Sequence, residues 1–180
     1  MHNSQVYFVG GVSGVGKTST IKYLKTLLSQ DKFDVRDFDE RGVPDGGGLE
    51  WHNKETLYWL DVSAENTKEN KSTVICGFIH PERLREIHNK DIHPESKLFI
   101  LHASGETIRK RLLGRYPTPE SIDEIKRAAG TSLTEFINNN VSFAPTLKSL
   151  AEKYGDPIIE TDLKSPEDVS REIAEQILAP

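Results

Sequence analysis

Eight consecutive residues near the start of the chain, Gly11-Val12-Ser13-Gly14-Val15-Gly16-Lys17-Thr18, constrain its fold more than any other segment. They satisfy the spacing G-x-x-x-x-G-K-[ST], which a chain of 180 residues would meet by chance on the order of half a percent of the time at ordinary residue frequencies. The flanks agree with the motif. Val6-Tyr7-Phe8-Val9 is an apolar run rich in strand formers, and Ile21, Leu24, Leu27 and Leu28 recur behind it at helical spacing. A strand that turns through glycines straight into a helix aims backbone N–H groups and the positive end of the helix at one point. Gly11, Gly14 and Gly16 can adopt the positive φ that such a turn requires. The chemistry that fits is a polyphosphate. The set Gly11, Ser13, Gly14, Val15, Gly16, Lys17, Thr18 and Ser19 is expected to cradle a nucleoside triphosphate, with the Lys17 ammonium on its outer phosphates and the Thr18 hydroxyl on Mg²⁺. The competing reading is a glycine-rich turn with Lys17 merely solvated.

Strand-like and helix-like segments then alternate along the chain, the signature of a parallel sheet covered by helices. Strands are expected near 5–10, 34–38, 73–79, 97–102 and 157–161, and Lys97 to His102 is continuous enough to be central and buried. Ser165-Pro166-Glu167-Asp168 reads as a helix start: a capping serine, proline at the first helical position and acids against the dipole. Two stretches break the alternation. The glycine run Gly46-Gly47-Gly48 interrupts regular structure before a polar helix carrying Trp51, Leu57, Trp59 and Leu60. Between Arg115 and Tyr154 the pattern gives two or three helices broken at Gly130 and Pro145, with no strand among them. Since the chain has no repeat, low-complexity tract or linker, residues 1–180 read as a single α/β domain. In it, about 40–65 would cover an acceptor and about 115–150 would form a helical lid.

Composition narrows the partners. A formal net charge of -5 without a basic cluster argues against nucleic acid. No apolar run reaches membrane-spanning length, and the N-terminus lacks the pattern of a secretory leader. Cys76 is the single cysteine and cannot form an intramolecular disulfide. A cytoplasmic protein with no membrane partner is therefore expected, whose ligands are a nucleoside triphosphate and a small-molecule acceptor.

Beyond the loop, Asp37 and Asp39 flank Phe38 where the second strand would end. Alternation sends both carboxylates to one side, and in open α/β sheets the ligand crevice lies outside the carboxyl ends of the strands. Such a pair suits a Mg²⁺ contact and a general base or hydroxyl anchor, although an acidic loop paired with Arg36 and Arg41 would look the same. Arg111 and Arg115 stand four apart near the end of a helical segment, hence on one face, where guanidinium groups can stabilise a phosphoryl group in transfer. The same cations would also favour the helix through its dipole. Trp51 and Trp59 fall on one face of their helix, where a planar acceptor can stack or the rings can simply pack. The histidines show no metal-ligand spacing, and Cys76 reads as a small apolar filler.

On these residues the chain resembles the P-loop small-molecule and nucleotide kinases, the superfamily of nucleoside monophosphate kinases, shikimate kinase and gluconate kinase. Gly11 to Thr18 looks closest to the gluconate-kinase and archaeal adenylate-kinase loops. Asp37-Phe38-Asp39 resembles the D-x-D of shikimate kinases, which implies Asp37 toward the metal shell and Asp39 on the acceptor as anchor and base. Arg111-Leu112-Leu113-Gly114-Arg115 is similar to the R-x-x-G-R at the lid entrance of adenylate kinases, which implies Arg111 against the adenine and Arg115 on the phosphates. Ile159 to Glu167 resembles the last strand and loop of this group, so 162–165 would touch the base. The resemblance implies a three-layer α/β/α fold with a five-stranded parallel sheet of order 2-3-1-4-5. It further implies ATP- and Mg²⁺-dependent phosphoryl transfer in which Lys17, Asp39 and Arg115 act on the reacting groups, Thr18 and Asp37 serve the metal, and Asp37, Asp39 and Trp51 face the acceptor. A monophosphate kinase and a nucleotide-binding regulatory module or slow NTPase are the alternatives.

The chain also departs from these families. Cys76-Gly77-Phe78-Ile79-His80-Pro81 stands where monophosphate kinases carry Asp-Gly-Phe-Pro, and the glycine triplet precedes the third strand rather than following it. Asn89-Lys90-Asp91 is one residue out of register with a guanine-specific motif, so ATP is expected over GTP.

Overall fold

The computed structural model describes residues 4–88 and 96–179; Asn89-Lys90-Asp91 and His93 lie outside that range. The five apolar runs form β1 (Val6–Gly10), β2 (Phe33–Asp37), β3 (Ser72–Cys76), β4 (Ser96–His102) and β5 (Ile158–Glu160). They pair in parallel in the order β2-β3-β1-β4-β5. Both features match the expectation. The seven helices among the described residues are α1 (Lys17–Leu27), α2 (Leu49–Lys68), α3 (Pro81–His88), α4 (Gly105–Arg115), α5 (Pro119–Ala129), α6 (Leu133–Tyr154) and α7 (Pro166–Leu178). They give a three-layer α/β/α arrangement in which α1 packs with α7 and α4 with α6. None of them is long and apolar enough to cross a membrane.

The central strand β1 is buried along its whole length, as a strand flanked by β3 and β4 and covered by helices must be. Phe8, Phe99 and Leu101 are each 2% exposed or less. Burying a side chain of that size contributes about 1.5–3 kcal/mol. The register carries the functional consequence. Asp37 pairs with Cys76 and Val9 also pairs with Cys76, so β1, β2 and β3 end together and their exits form one rim.

Two local expectations are corrected. The third strand ends at Cys76 rather than at 79: the Gly77 N–H makes a last ladder bond to the Val9 carbonyl (3.1 Å), and the Phe38 side chain occupies the space beside Gly77. The helix expected to break at Pro145 runs through it from Leu133 to Tyr154. Proline removes one donor, that for the Val141 carbonyl, but the buried stripe of Ile137, Ala144, Leu147 and Ala151 holds both sides of the gap to the core. The break at Gly130 is real, since this residue caps α5 at φ 67°.

Helix starts are capped by side chains where the sequence supplies them. Ser104, Thr118, Ser132 and Ser165 accept from the backbone of α4, α5, α6 and α7 respectively, and Thr118 and Ser165 close full capping boxes. The start of α1 is different: Gly16 stands there at φ 108° and no side chain caps it.

Candidate functional site

The uncapped start of α1 opens into a cavity of about 590 Å³ at the rim formed by β1, β2 and β3, a size suited to a small-molecule ligand. The N–H groups of Gly14 through Ser19 meet no protein acceptor among the described residues, so a run of orphan donors and the helix dipole face the same space. Gly14 (φ 88°) sits hard against α4. A Cβ there would lie 3.0 Å from Leu112 Cγ and 3.2 Å from the Ile108 carbonyl. Gly11 (φ 142°) does not line the cavity. It lets the chain pass the Leu101 carbonyl, which a Cβ would approach to 2.7 Å.

Lys17 reaches back across the loop and donates to the Val12 carbonyl at 2.8 Å. Burial pulls its ammonium down to about 8, the Asp39 carboxylate counteracts this, and Arg115 adds to it. The Thr18 side chain is exposed and makes no hydrogen bond among the described residues, so its hydroxyl is open toward the cavity it lines. Asp37 and Asp39 both line the cavity while Phe38 is fully buried beneath, as strand alternation predicts. The turn is fixed by three contacts. The Asp39 N–H donates to Asp37 Oδ1 (3.0 Å), the Glu40 N–H to the Asp37 carbonyl (3.2 Å), and Trp59 Nε1 to the Phe38 carbonyl (3.0 Å).

The arginines expected to neutralise this pair are engaged elsewhere: Arg36 with Asp34 and Glu40, Arg41 with Glu55. Among the described residues Asp37 and Asp39 form no ion pair within 4.0 Å, and burial followed by the charge of Asp37 raises Asp39 above the ordinary carboxylate range. The result is a desolvated carboxylate that shares one cavity with an ammonium and a guanidinium.

Arg111 and Arg115 both line the cavity from α4, on the face their spacing predicts. Their surroundings separate them. Arg111 donates to the carbonyls of Gly14 and Val15 (3.3 Å each), to Thr161 Oγ1 (3.0 Å) and to the Thr161 carbonyl (2.6 Å), so it braces the loop against the end of β5. Its guanidinium edge is occupied, which leaves its plane to a ligand. Arg115 makes no ion pair among the described residues, and its charge acts on both Lys17 and Asp39. In the loop expected to touch a base, Asp162 is taken by Ser104 and Thr107, Leu163 is fully exposed, and Lys164 lines the cavity while pairing with Glu172.

Trp51 is not brought to the cavity. It packs edge-on against Phe38 (centroids 5.9 Å apart) and beside His52 (4.7 Å), so its position supports the Asp37-Phe38-Asp39 turn from behind. His52 stacks on Phe38 with its Nδ1 buried and without a hydrogen-bond partner among the described residues. Burial and the Lys17 charge lower its pKa and keep the ring neutral.

Two residues outside the expected site set brace the loop. Thr161 Oγ1 donates to the Val15 carbonyl at 3.0 Å, and Asn140 Oδ1 accepts the Ser13 N–H at 2.8 Å. The latter takes Ser13 out of the open donor run. Asn138-Asn139-Asn140 is conspicuous only as three poor helix formers in a long helix.

No group of three or more His, Cys, Asp or Glu able to hold a metal occurs among the described residues. Thr18 and Asp37 beside the open loop instead fit a cation that arrives with phosphate oxygens, the mode Mg²⁺ favours because it keeps much of its water.

No protein-family model matches the chain, and no curated protein matches its sequence. Solved structures do match its fold. Shikimate kinase from Acinetobacter baumannii in complex with shikimate superposes with a TM-score of 0.55 at 16% identity, over 98% of this chain and 94% of that one. The tunicamycin resistance protein of Deinococcus radiodurans superposes with a TM-score of 0.61 at 19% identity, over 98% and 97%. The chain has the fold of the P-loop small-molecule kinases.

Proposed function

We propose that this chain is an ATP- and Mg²⁺-dependent phosphotransferase that moves the γ-phosphate to a hydroxyl of a small acceptor. The observation that carries this reading is the meeting, in one cavity, of an open phosphate loop with Lys17 and an unpaired, desolvated Asp39. Phosphoryl transfer asks the protein for position and electrostatic stabilisation more than for covalent chemistry. The N–H groups of Gly14 to Ser19 would hold the phosphates, and Lys17 and Arg115 would stabilise charge on the transferring group. Mg²⁺, held by Thr18 and on the Asp37 side, would neutralise the phosphate oxygens. Asp39 would hold the acceptor O–H and take its proton as the new P–O bond forms and the bond from the γ-phosphorus to the departing ADP oxygen breaks. The plane of Arg111 and the loop around Lys164 would flank the base, and the segments at 40–65 and 115–150 would exclude water.

The pairing of the arginines on and around α2 and α3 favours a hydroxyl over a phosphate as acceptor. A nucleoside monophosphate needs free cations, yet Arg41 is held by Glu55, Arg83 by Asn53 and Glu86, and Arg85 by Asp156. A screen of hydroxylated metabolites and nucleoside monophosphates for acceptor-dependent ADP release tests the assignment. Turnover on a hydroxyl compound that Asp39→Asn abolishes supports it. Robust nucleoside diphosphate formation, insensitive to Asp39→Asn, overturns it in favour of a monophosphate kinase. Tight ATP binding without any acceptor-stimulated turnover points to a regulatory module.

A further inference from the structure

The bond between Ser13 and Asn140 joins residues 127 apart in sequence and ties the phosphate loop to the middle of α6. The Asn140 amide is oriented for this purpose. Its Nδ2 donates to the Phe136 carbonyl one turn earlier (2.8 Å), which presents Oδ1 to the loop. The next residue, Val141, packs against Gly105 so closely that a Cβ on that glycine would come within 2.8 Å of its side chain. Four residues further on, Pro145 deprives the Val141 carbonyl of its helical donor, so the α6 ladder is interrupted immediately beyond Asn140.

Both sides of this interruption are held to the core, by Ile137 before it and by Leu147 and Ala151 after it. The N-terminal side continues through residues 130–132 into α5, which has no fully buried residue. The lightly held element is therefore α5, carried on the stretch of α6 that bears Asn140.

We propose that Asn140 is a positioning residue that couples occupancy of the phosphate loop to the α5–α6 segment. The proposal rests on the reading of Gly11 to Thr18 as a phosphate site. Phosphate on the N–H groups beyond Ser13 fixes the loop path, the fixed Ser13 N–H fixes Asn140, and Asn140 fixes the half of α6 that carries α5. In the reverse direction, Asn140 holds Ser13 so that the neighbouring donors converge before the nucleotide arrives. Such pre-organisation strengthens binding without a contact to the ligand. By linkage the two effects have the same size.

The test uses the full chain and a nonhydrolysable ATP analogue with Mg²⁺, with affinity read by calorimetry and amide deuterium uptake read over residues 119–139. In the unsubstituted protein, saturation should lower uptake in that segment. Asn140→Ala should weaken analogue binding by about tenfold, the scale of one lost hydrogen bond. At saturation it should also show no nucleotide-dependent protection of 119–139. Asn140→Asp keeps an acceptor for the Ser13 N–H and should retain that protection at saturation. Full protection in Asn140→Ala, or equal loss in both variants, overturns the coupling. So does an unsubstituted protein that binds the analogue with uptake unchanged in 119–139. If the unsubstituted protein binds no nucleotide at all, the phosphate-loop reading itself is what fails.

Discussion

Lys17 and Asp39 are ionisable groups that burial pushes toward neutrality in one cavity, and each gives the site a pH signature. The Lys17 ammonium sits at about 8, well below an ordinary lysine, because burial costs it hydration. A bound triphosphate restores the charge and raises that value again. Binding should therefore take up about half a proton at pH 8 and almost none at pH 6.5. Calorimetry in buffers of different ionisation enthalpy measures this directly. Asp39 is shifted the other way, upward, by burial and then by the Asp37 charge. A carboxyl raised in the folded state binds protons more readily there than in the unfolded chain. Its ionised form thus costs stability at neutral pH, and the cost disappears as pH falls through the raised value. Asp39→Asn removes that cost. The variant should melt at a higher temperature while kcat on a hydroxyl acceptor falls by about 10²–10⁴, the usual worth of a general base. The acid limb of the parent profile should likewise lie above the ordinary aspartate range.

At the scale of elements, the rim of the sheet depends on one close approach. Phe38 packs where a side chain on Gly77 would stand: a Cβ there would be 2.0 Å from Phe38 Cβ and 2.7 Å from its Cγ. Gly77→Ala must displace the end of β2 rather than a flexible tip. We expect it to cost about 1–3 kcal/mol, as overpacked cores do, and to weaken catalysis more than nucleotide binding, because the Asp37–Asp39 turn moves while the phosphate loop does not. Denaturant melts and a comparison of kcat with analogue affinity check both parts. Much of this level was legible in the sequence. Strand–glycine–helix order, the alternation at Asp37 and Asp39 and the Ser165 start of α7 are all local patterns. Pro145 misled because proline argues for a break only through its own lost donor, and a buried stripe on both sides of it outweighs that loss. The end of β3 was hidden for a related reason: Gly77-Phe78-Ile79 has strand composition, and only the neighbouring Phe38 side chain turns it away.

For the molecule as a whole, the site is assembled from residues far apart in sequence, and that is what the chain pattern cannot display. Asn140 reaches the loop through α6 and nothing in its own neighbourhood announces it, whereas Thr161 and Lys164 come to the site at the end and exit of β5, a stretch that only the family resemblance pointed to. Trp51 shows the converse. Its spacing places it near the rim, yet its ring faces Phe38 and not the cavity. Because the phosphate donors are spread over a loop anchored in the central strand, ligand binding should be felt by global unfolding. MgATP at a hundred times its Kd should add about 2.7 kcal/mol. For a chain of this size that is a rise in Tm of about 5–10 °C. Lys17→Ala should abolish the rise in a thermal melt. The same cavity contains the chain's single cysteine, whose thiol is 1% exposed and pushed up to about 12 by burial. Such a thiol is silent toward alkylating and disulfide reagents until the sheet opens. Cys76 thus makes the protein its own unfolding reporter, without an added label. The rate at which it is modified counts openings of the core, and MgATP at that same excess should slow the count about a hundredfold.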